Sequence, residues 1–337
     1  MTDALPPRAP TDTHDFAPFV RILGRGPGKS RSLTRDEARL ALGMILRGEA
    51  TREQIGALLM LMRFRGEAAD EMAGLVEAAR THAGVPWDLG EPVDLDWPSY
   101  ADGRTRGLPW YLLSALLVAR SGVRVAMHGP LAGPGRVNLI AALHGLQIEP
   151  SSTAPAARAN LDSTGFAFLP LETVCAALAD LLALRGVLGL RSPLNTVGRL
   201  LDPAGAAGSV DGVFHPNYIA VHVGTAALLQ RSVTVLKGGG GEAEWSGAKP
   251  LIVTTPTGEE TWPALETEGK ATSDSVEDFI AVWRGDRTDP AAAQTVVATA
   301  AVALRAAYRY PTREACLEAA RALWDGRTAY FSNPRIG

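Results

Sequence analysis

Residues 33–67 read LTRDEARLALGMILRGEATREQIGALLMLMRFRGE, and this stretch decides how the chain begins to fold. Thr34 is followed three residues later by Glu37, and Thr51 by Gln54. In that spacing a hydroxyl caps a free backbone N–H at a helix start while the later side chain reaches back to the cap residue. Two helices are therefore predicted to begin there. Ile55, Leu58, Leu59 and Met62 recur at helical spacing, as do Met72, Leu75, Val76 and Ala79, while Gly48 and Gly66 supply the stops. The opening of the chain reads as three amphipathic helices in a row.

Beyond them the pattern changes. A proline-containing passage from Val85 to Pro98 leads into short apolar runs separated by Ala- and Leu-rich segments. Residues 123–127, 232–236 and 251–254 read as buried strands, and 108–119, 137–144, 174–183 and 291–307 as helices. The expected fold is α/β: a small all-α domain over residues 1–85, with helices from about 165–190 as candidates to join it, then a larger domain over 86–337 whose mostly parallel sheet is covered by helices.

With 337 residues and 46% hydrophobic content the chain is long enough to bury a large core in two domains. Cys175 and Cys316 lie far apart without zinc-ligand spacing and read as buried thiols of a reducing compartment. The N-terminus lacks an apolar core and no run reaches the roughly 20 apolar residues of a membrane span, so a cytoplasmic protein without a membrane partner is expected. A net charge of −3 argues against bulk attraction to nucleic acid. The charge is uneven, however. Residues 19–39 carry six basic side chains, and residues 100–136 carry five arginines against Asp102. The counterweight is a nine-carboxylate stretch over 242–278.

Individual motifs are weaker. Gly24 to Ser30 ends in Gly-Lys-Ser, but Leu23 stands where a phosphate-binding P-loop needs its first glycine. It reads as a basic turn, with phosphate contacts through Lys29 and Arg31 as a secondary role. Lys237 to Glu242, KGGGGE, follows a strand, and its glycines would let a backbone approach an anion closely or simply form a surface turn. The six histidines lack metal-ligand or triad spacing; His128 stands apart at a predicted strand end, where parallel sheets gather ligand loops. No side chain is singled out as a catalytic acid, base or nucleophile.

Leu33 to Ala38, Ile45 to Thr51, Gln54-Ile55 and Arg65-Gly-Glu67, together with Leu188-Gly-Leu-Arg-Ser-Pro-Leu-Asn-Thr-Val-Gly198 and Asp202-Pro203, resemble the anthranilate phosphoribosyltransferase family (glycosyltransferase family 3), whose fold is shared with class II nucleoside phosphorylases. Arg191, Asn195, Gly198 and Pro203 match that family's pattern L-G-V-R-T-x-x-N-x-x-G-P-L-x-N-P. Arg185 falls where the family places the arginine that contacts the anthranilate carboxylate. The resemblance covers nearly the whole chain and implies a phosphoribosyl pyrophosphate site with magnesium.

The departures fall on that site. The family's G-T-G-G-D loop is replaced by Asp96-Trp-Pro-Ser-Tyr-Ala-Asp-Gly-Arg-Thr-Arg-Gly107, with bulky Trp97 and Tyr100 and charged Arg104 and Arg106 where backbone amides would cradle pyrophosphate. The Lys-His-Gly-Asn motif has become Met127-His-Gly-Pro130, keeping His128 and Gly129. The magnesium-binding Asp-Glu pair falls on Ala243 and Glu244, with Glu242 as a candidate to compensate. The proline of G-P-L is Arg199. His128, Gly129, Asn195, Lys237 and Gly238 are then remnants of the pyrophosphate site.

This pattern resembles the family's YbiB-type branch and implies a homodimer, joined through the small helical domain, that binds DNA or RNA without sequence preference. The expected groove comprises Arg104, Arg106, Arg136, Arg185, Arg191 and Arg199, with the basic turn at Lys29 and Arg31 beside it. Trp97 and Tyr100 read as buried between domains, with base stacking as the alternative. The second reading is a transferase that still uses phosphoribosyl pyrophosphate and magnesium on an unidentified acceptor. A third is a scaffold for protein contacts, which a contiguous apolar patch on helices 34–47 and 67–82 would mark.

Overall fold

Thr34 accepts a hydrogen bond from the Glu37 N–H at 3.2 Å and its own N–H donates to Glu37 Oε2 at 2.8 Å. Thr51 and Gln54 exchange the same pair. With four orphan N–H groups at every helix start, this reciprocal capping is why α2 (Arg35–Leu46) and α3 (Arg52–Arg65) begin where they do. A third helix, α4 (Ala69–Ala83), runs against α2. Buried Glu71 ties the two starts together, its Oε1 accepting from Leu33 N–H at 2.6 Å and its Oε2 from Ala68 N–H at 3.0 Å. The computed structural model describes residues 15–330 except 27, 102–106, 267, 268, 270 and 272–274.

A shorter helix, α1 (Ala17–Gly24), precedes these three and packs on α3. No element is expected there from the sequence, although Phe19 and Leu23, four residues apart, both turn inward. The basic turn itself lies after it: Lys29 is exposed, and Arg31 pairs bidentately with Glu37 at 2.6 and 2.7 Å.

The rest of the chain alternates strands and helices: β1 (Leu95–Pro98), α5 (Trp110–Ala119), β2 (Val125–Gly129), α6 (Val137–Gly145), α7 (Ala154–Thr164), β3 (Phe166–Pro170), α8 (Leu171–Val174), α9 (Ala176–Ala183), α10 (Arg185–Leu188), α11 (Leu194–Arg199), β4 (Gly208–Val213), α12 (Ile219–Leu228), β5 (Val233–Lys237), β6 (Leu251–Thr255), β7 (Gly258–Trp262), α13 (Val276–Arg284), α14 (Pro290–Ala306) and α15 (Arg313–Asp325). The seven strands form one sheet in the order β3-β2-β1-β4-β5-β6-β7, parallel through β5 and antiparallel thereafter. One core, on α5, α6 and α13 to α15, includes the largely buried α14. A second joins α1 to α4 with α7, α8, α9 and α11.

Four strands escaped the sequence reading, and two show why. β1 looked like a passage because it ends in Pro98 and carries Asp96, yet it is fully buried and Asp96 accepts from Ser209 Oγ at 3.0 Å. β4, GSVDGV, is not among the strands expected from the sequence. Its glycines mark close backbone approach: a Cβ on Gly208 would lie 2.5 Å from Ala306 O, and one on Gly212 would lie 2.1 Å from Glu242 C. Trp97 and Tyr100 are buried, so neither is available to stack on bases.

Strand order reverses between β1 and β4. In open parallel sheets the crevice outside the strand carboxyl ends at such a switch point is where ligands bind. No helix among the described residues is long and apolar enough to cross a membrane.

Gly74 sets how closely α2 and α4 approach, since a Cβ there would lie 2.0 Å from Arg35 O. Gly74→Ala should therefore lower unfolding stability by about 1–3 kcal/mol in a denaturant titration, despite alanine's better helix propensity.

Candidate functional site

At the carboxyl ends of the parallel strands, free backbone N–H groups point outward and would hold an anionic ligand. Here the chain supplies the anions itself. Glu242 Oε1 accepts from Ala101 N–H, past β1, at 2.8 Å. Glu172, from α8, accepts from Leu131 N–H and Ala132 N–H, past β2, both at 2.9 Å. Glu244 Oε2 accepts from Tyr111 N–H in the first turn of α5 at 3.0 Å, where the helix dipole also favours negative charge. Two loops and a helix start that could cradle phosphates are thus closed on carboxylates of the same chain.

Arg136 belongs to this arrangement rather than to a groove. It is 1% exposed, donates to Ser99 O at 2.7 Å and Ser99 Oγ at 2.9 Å, and lies 3.5 Å from Glu242 Oε1. A buried guanidinium needs such a partner, and Glu242 needs the guanidinium. Glu242 is therefore an internal counter-ion, with Ser99 Oγ and Ala101 N–H on the same oxygen. No three described His, Cys, Asp or Glu side chains are grouped so as to hold a metal. Glu242 on Arg136, Ala243 with no ligand atom and Glu244 on the α5 amide do not fit a magnesium pyrophosphate.

His128 is likewise internal: its Nδ1 lies 3.0 Å from the Tyr100 hydroxyl and its Nε2 3.2 Å from Asp96 Oδ1. Burial pushes the Tyr100 hydroxyl well above its ordinary range, so it stays protonated beside the imidazole. The retained glycines serve packing. A Cβ on Gly129 would lie 2.0 Å from Ser99 O, and one on Gly238 would overlap Glu242 O at 1.5 Å. Lys237 is exposed at the end of β5.

The open part of the site is a cleft of about 430 Å³ between the helical unit and the carboxyl end of β4. Arg63, Arg185, Arg191 and Arg199 line it with His215, His222, Asn195 and the aromatic rings of Phe214 and Tyr218; Glu67 is its one carboxylate among the described lining residues. Burial raises the Glu67 carboxyl above its ordinary range, with Arg63 and His222 working against that rise. Phe214 is 53% exposed, and the Arg63 guanidinium sits 5.6 Å over the Tyr218 ring.

Arg199 is a special case. It forms part of the cleft wall, but its Nη1 donates to Asp211 Oδ1 at 2.8 Å and its Nη2 to Gly241 O at 2.7 Å, leaving it buried. Arg185 and Asn195 also line an adjoining, mostly apolar cavity of about 460 Å³ with Tyr100, Pro130 and Glu172. Thus Arg185, Arg191, Arg199 and Asn195 come together, while Arg136, His128, Gly129, Lys237, Gly238, Glu242 and Glu244 do not join them. Lys29 and Arg31 lie outside the cleft lining as well. Arg104 and Arg106 fall outside the described residues. The sequence reading missed Arg63, Glu172, Phe214, Tyr218 and the Asp211–His222 pair. The segment Phe214-His-Pro-Asn-Tyr218 directly after β4 was the available signal, had β4 been recognised.

This architecture is that of a known family. Residues 18–83 match the helical bundle domain of a glycosyl transferase family and residues 111–329 match its a/b domain, and the chain belongs to that family. It is 32% identical over 256 residues to an anthranilate phosphoribosyltransferase from Beijerinckia indica, covering 74% of this chain and 69% of that one. It is also 32% identical over 208 residues to the uncharacterized protein YbiB of Escherichia coli, covering 61% of this chain and 65% of YbiB, a little under two thirds of its length. Among solved structures, anthranilate phosphoribosyltransferase from Thermus thermophilus superposes with a TM-score of 0.77 at 23% identity over 93% of this chain and 96% of that one. The Saccharomyces cerevisiae enzyme in complex with PRPP and Mg superposes at 0.76 and 16% identity, over 95% and 96%. The expected fold class is confirmed.

Glu242→Ala should lower stability by about 3–5 kcal/mol, because it strands Arg136 without a counter-ion. Adding Arg136→Met should recover most of that loss. Denaturant midpoints of the two single variants and the double variant check this coupling; additive losses would mean the pair is not the unit described.

Proposed function

We propose that this chain is an anthranilate phosphoribosyltransferase-like protein that binds nucleic acid without sequence preference through its arginine-lined cleft and does not make a tryptophan precursor. The observation that carries this reading is the division of labour at the switch point. The backbone amides past β1 and β2 and at the start of α5 are taken by Glu242, Glu172 and Glu244, whereas the cationic side chains collect in a cleft open to solvent. A polyanion gains by releasing counterions when arginines meet its phosphates, and exposed Phe214 beside Tyr218 offers faces on which any base stacks. Neither interaction reads sequence. Arg104 and Arg106 belong to the same proposal as flanking phosphate contacts, and the protein acts as a homodimer joined through the helical unit. Leu40 on α2 and Phe64 on α3 are the exposed large apolar side chains on α1 to α4.

A second reading, transfer of a phosphoribosyl group to an unidentified acceptor with phosphoribosyl pyrophosphate and magnesium, draws support from the adjoining cavity, where Arg185 and Asn195 face a mostly apolar space sized for a small acceptor. That reading requires the carboxylates on the strand-end amides to give way to phosphates.

Anisotropy of a labelled single-stranded oligonucleotide over a salt series separates the two. The expected result is affinity that falls steeply with salt, with a log–log slope reduced by about 0.7 for each phosphate contact removed in Arg63→Ala, Arg185→Ala and Arg191→Ala. Calorimetry with magnesium and phosphoribosyl pyrophosphate should give no binding heat. Magnesium-dependent heat from the pyrophosphate, with salt-independent or absent oligonucleotide binding, would replace the first reading with the second.

A further inference from the structure

On the α12 side of the cleft, His222 Nδ1 lies 2.5 Å from Asp211 Oδ2, while the other oxygen of the same carboxylate accepts from Arg199. All three side chains are buried or nearly so, with Asp211 fully covered. Burial pushes the Asp211 carboxyl up, but His222 and Arg199 more than offset it and hold the group below the ordinary carboxylate range. The carboxylate therefore stays ionised, keeps the imidazole Nδ1 protonated and fixes the plane of the ring. The ring forms part of the cleft wall, and with Nδ1 engaged the remaining Nε2 is the atom left to meet a ligand.

A ring held in this way has two states with opposite behaviour toward an anion. As the imidazolium it presents an Nε2–H donor and a positive charge; as the neutral ring it presents a lone pair that repels a phosphate oxygen. We infer that His222, oriented by Asp211, is a phosphate contact of the cleft that engages in its imidazolium form, so that grip on a phosphate group is set by proton concentration. This rests on the reading that the cleft binds phosphates, whether they belong to a nucleic acid or to a small phosphorylated molecule.

The surroundings favour a charge that responds to ligand. Arg199 reaches the ring only through the shared carboxylate. Arg63 from α3, Arg185 and Arg191 from α10 and the segment after it, and His215 from the β4–α12 connection line the same cleft and oppose a further cation until an anion arrives. Glu67, ahead of α4, is the carboxylate among the described lining residues. Glu71 on α4 is engaged by the Leu33 and Ala68 amides, and Lys237 sits at the exposed end of β5. A bound phosphate would then neutralise the arginines and draw a proton onto His222.

The test follows the His222 ring by proton NMR on the full chain from pH 5 to 8, with and without inorganic phosphate, and measures oligonucleotide affinity at pH 5.5 and 8 at constant ionic strength. Phosphate should move the ring's titration midpoint upward. Oligonucleotide affinity should fall about tenfold from pH 5.5 to 8, the size of one charge-assisted hydrogen bond. His222→Gln should remove most of that dependence, while His215→Gln, an exposed histidine on the same cleft, should leave most of it. A midpoint unmoved by phosphate, or the same pH dependence in wild type and His222→Gln, overturns the inference. If phosphate moves the midpoint but no oligonucleotide binds at either pH, the nucleic-acid reading fails and the His222 contact stands. Tight oligonucleotide binding with a pH profile indifferent to His222 leaves the reading intact and removes this inference alone. The NMR arm reads the wild-type protein, so it holds even if a variant fails to fold.

Discussion

The Arg136 guanidinium and the Glu242 carboxylate face each other across the carboxyl ends of β1 and β5, and both are shut away from water. Each charge alone would cost several kcal/mol to bury, so the pair forms as a unit or not at all. Its formation draws in Ser99, whose carbonyl and hydroxyl take the guanidinium, and Ala101, whose N–H takes the carboxylate. The turn leaving β1 is thereby fastened to the turn leaving β5. Gly212 and Gly238 are then obligatory, because any side chain at either position would strike the backbone at Glu242. Tyr100, placed by this turn, packs over Gly198 and holds His128.

With the strand ends fastened, the ligand-facing surface of the switch point moves outward. The remaining opening lies between α3, the α10–α11 segment and the loop after β4, and its chemistry is set by side chains rather than by backbone amides. Guanidinium groups from different elements lining one opening are what the proposed contact with a polyanion draws on. The buried Asp211 contributes indirectly, by holding Arg199 in the wall and the His222 ring at a fixed angle.

The helical half of the fold was legible because its information is local. Thr34 with Glu37 and Thr51 with Gln54 act within one turn, and the periodic apolar faces follow from the same geometry. The central strands were not, because β1 and β4 owe their state to distant partners: Asp96 to Ser209, Gly208 to Ala306 and Gly212 to Glu242. The same division governs the site. That the pyrophosphate motifs are altered could be read from residues 96–107 and 127–130, and Arg185, Arg191, Arg199 and Asn195 were found through the family pattern. That Arg136 is a buried counter-ion depends on a contact across 106 positions, and nothing in the local sequence distinguishes it from a surface arginine. Glu172 reaches the Leu131 amide across 41 positions, and it went unnoticed for the same reason.

Glu172, Glu242 and Glu244 have a further bearing on how the molecule meets its surroundings. A carboxylate tethered beside an amide is present at an effective concentration far above that of any free metabolite, commonly in the millimolar range or beyond for linked groups. A dissolved phosphate ester must outcompete these tethers to reach the amides past β1 and β2 and at the start of α5. The occupancy of the inner loops is thus buffered against swings in the surrounding pool of phosphorylated small molecules.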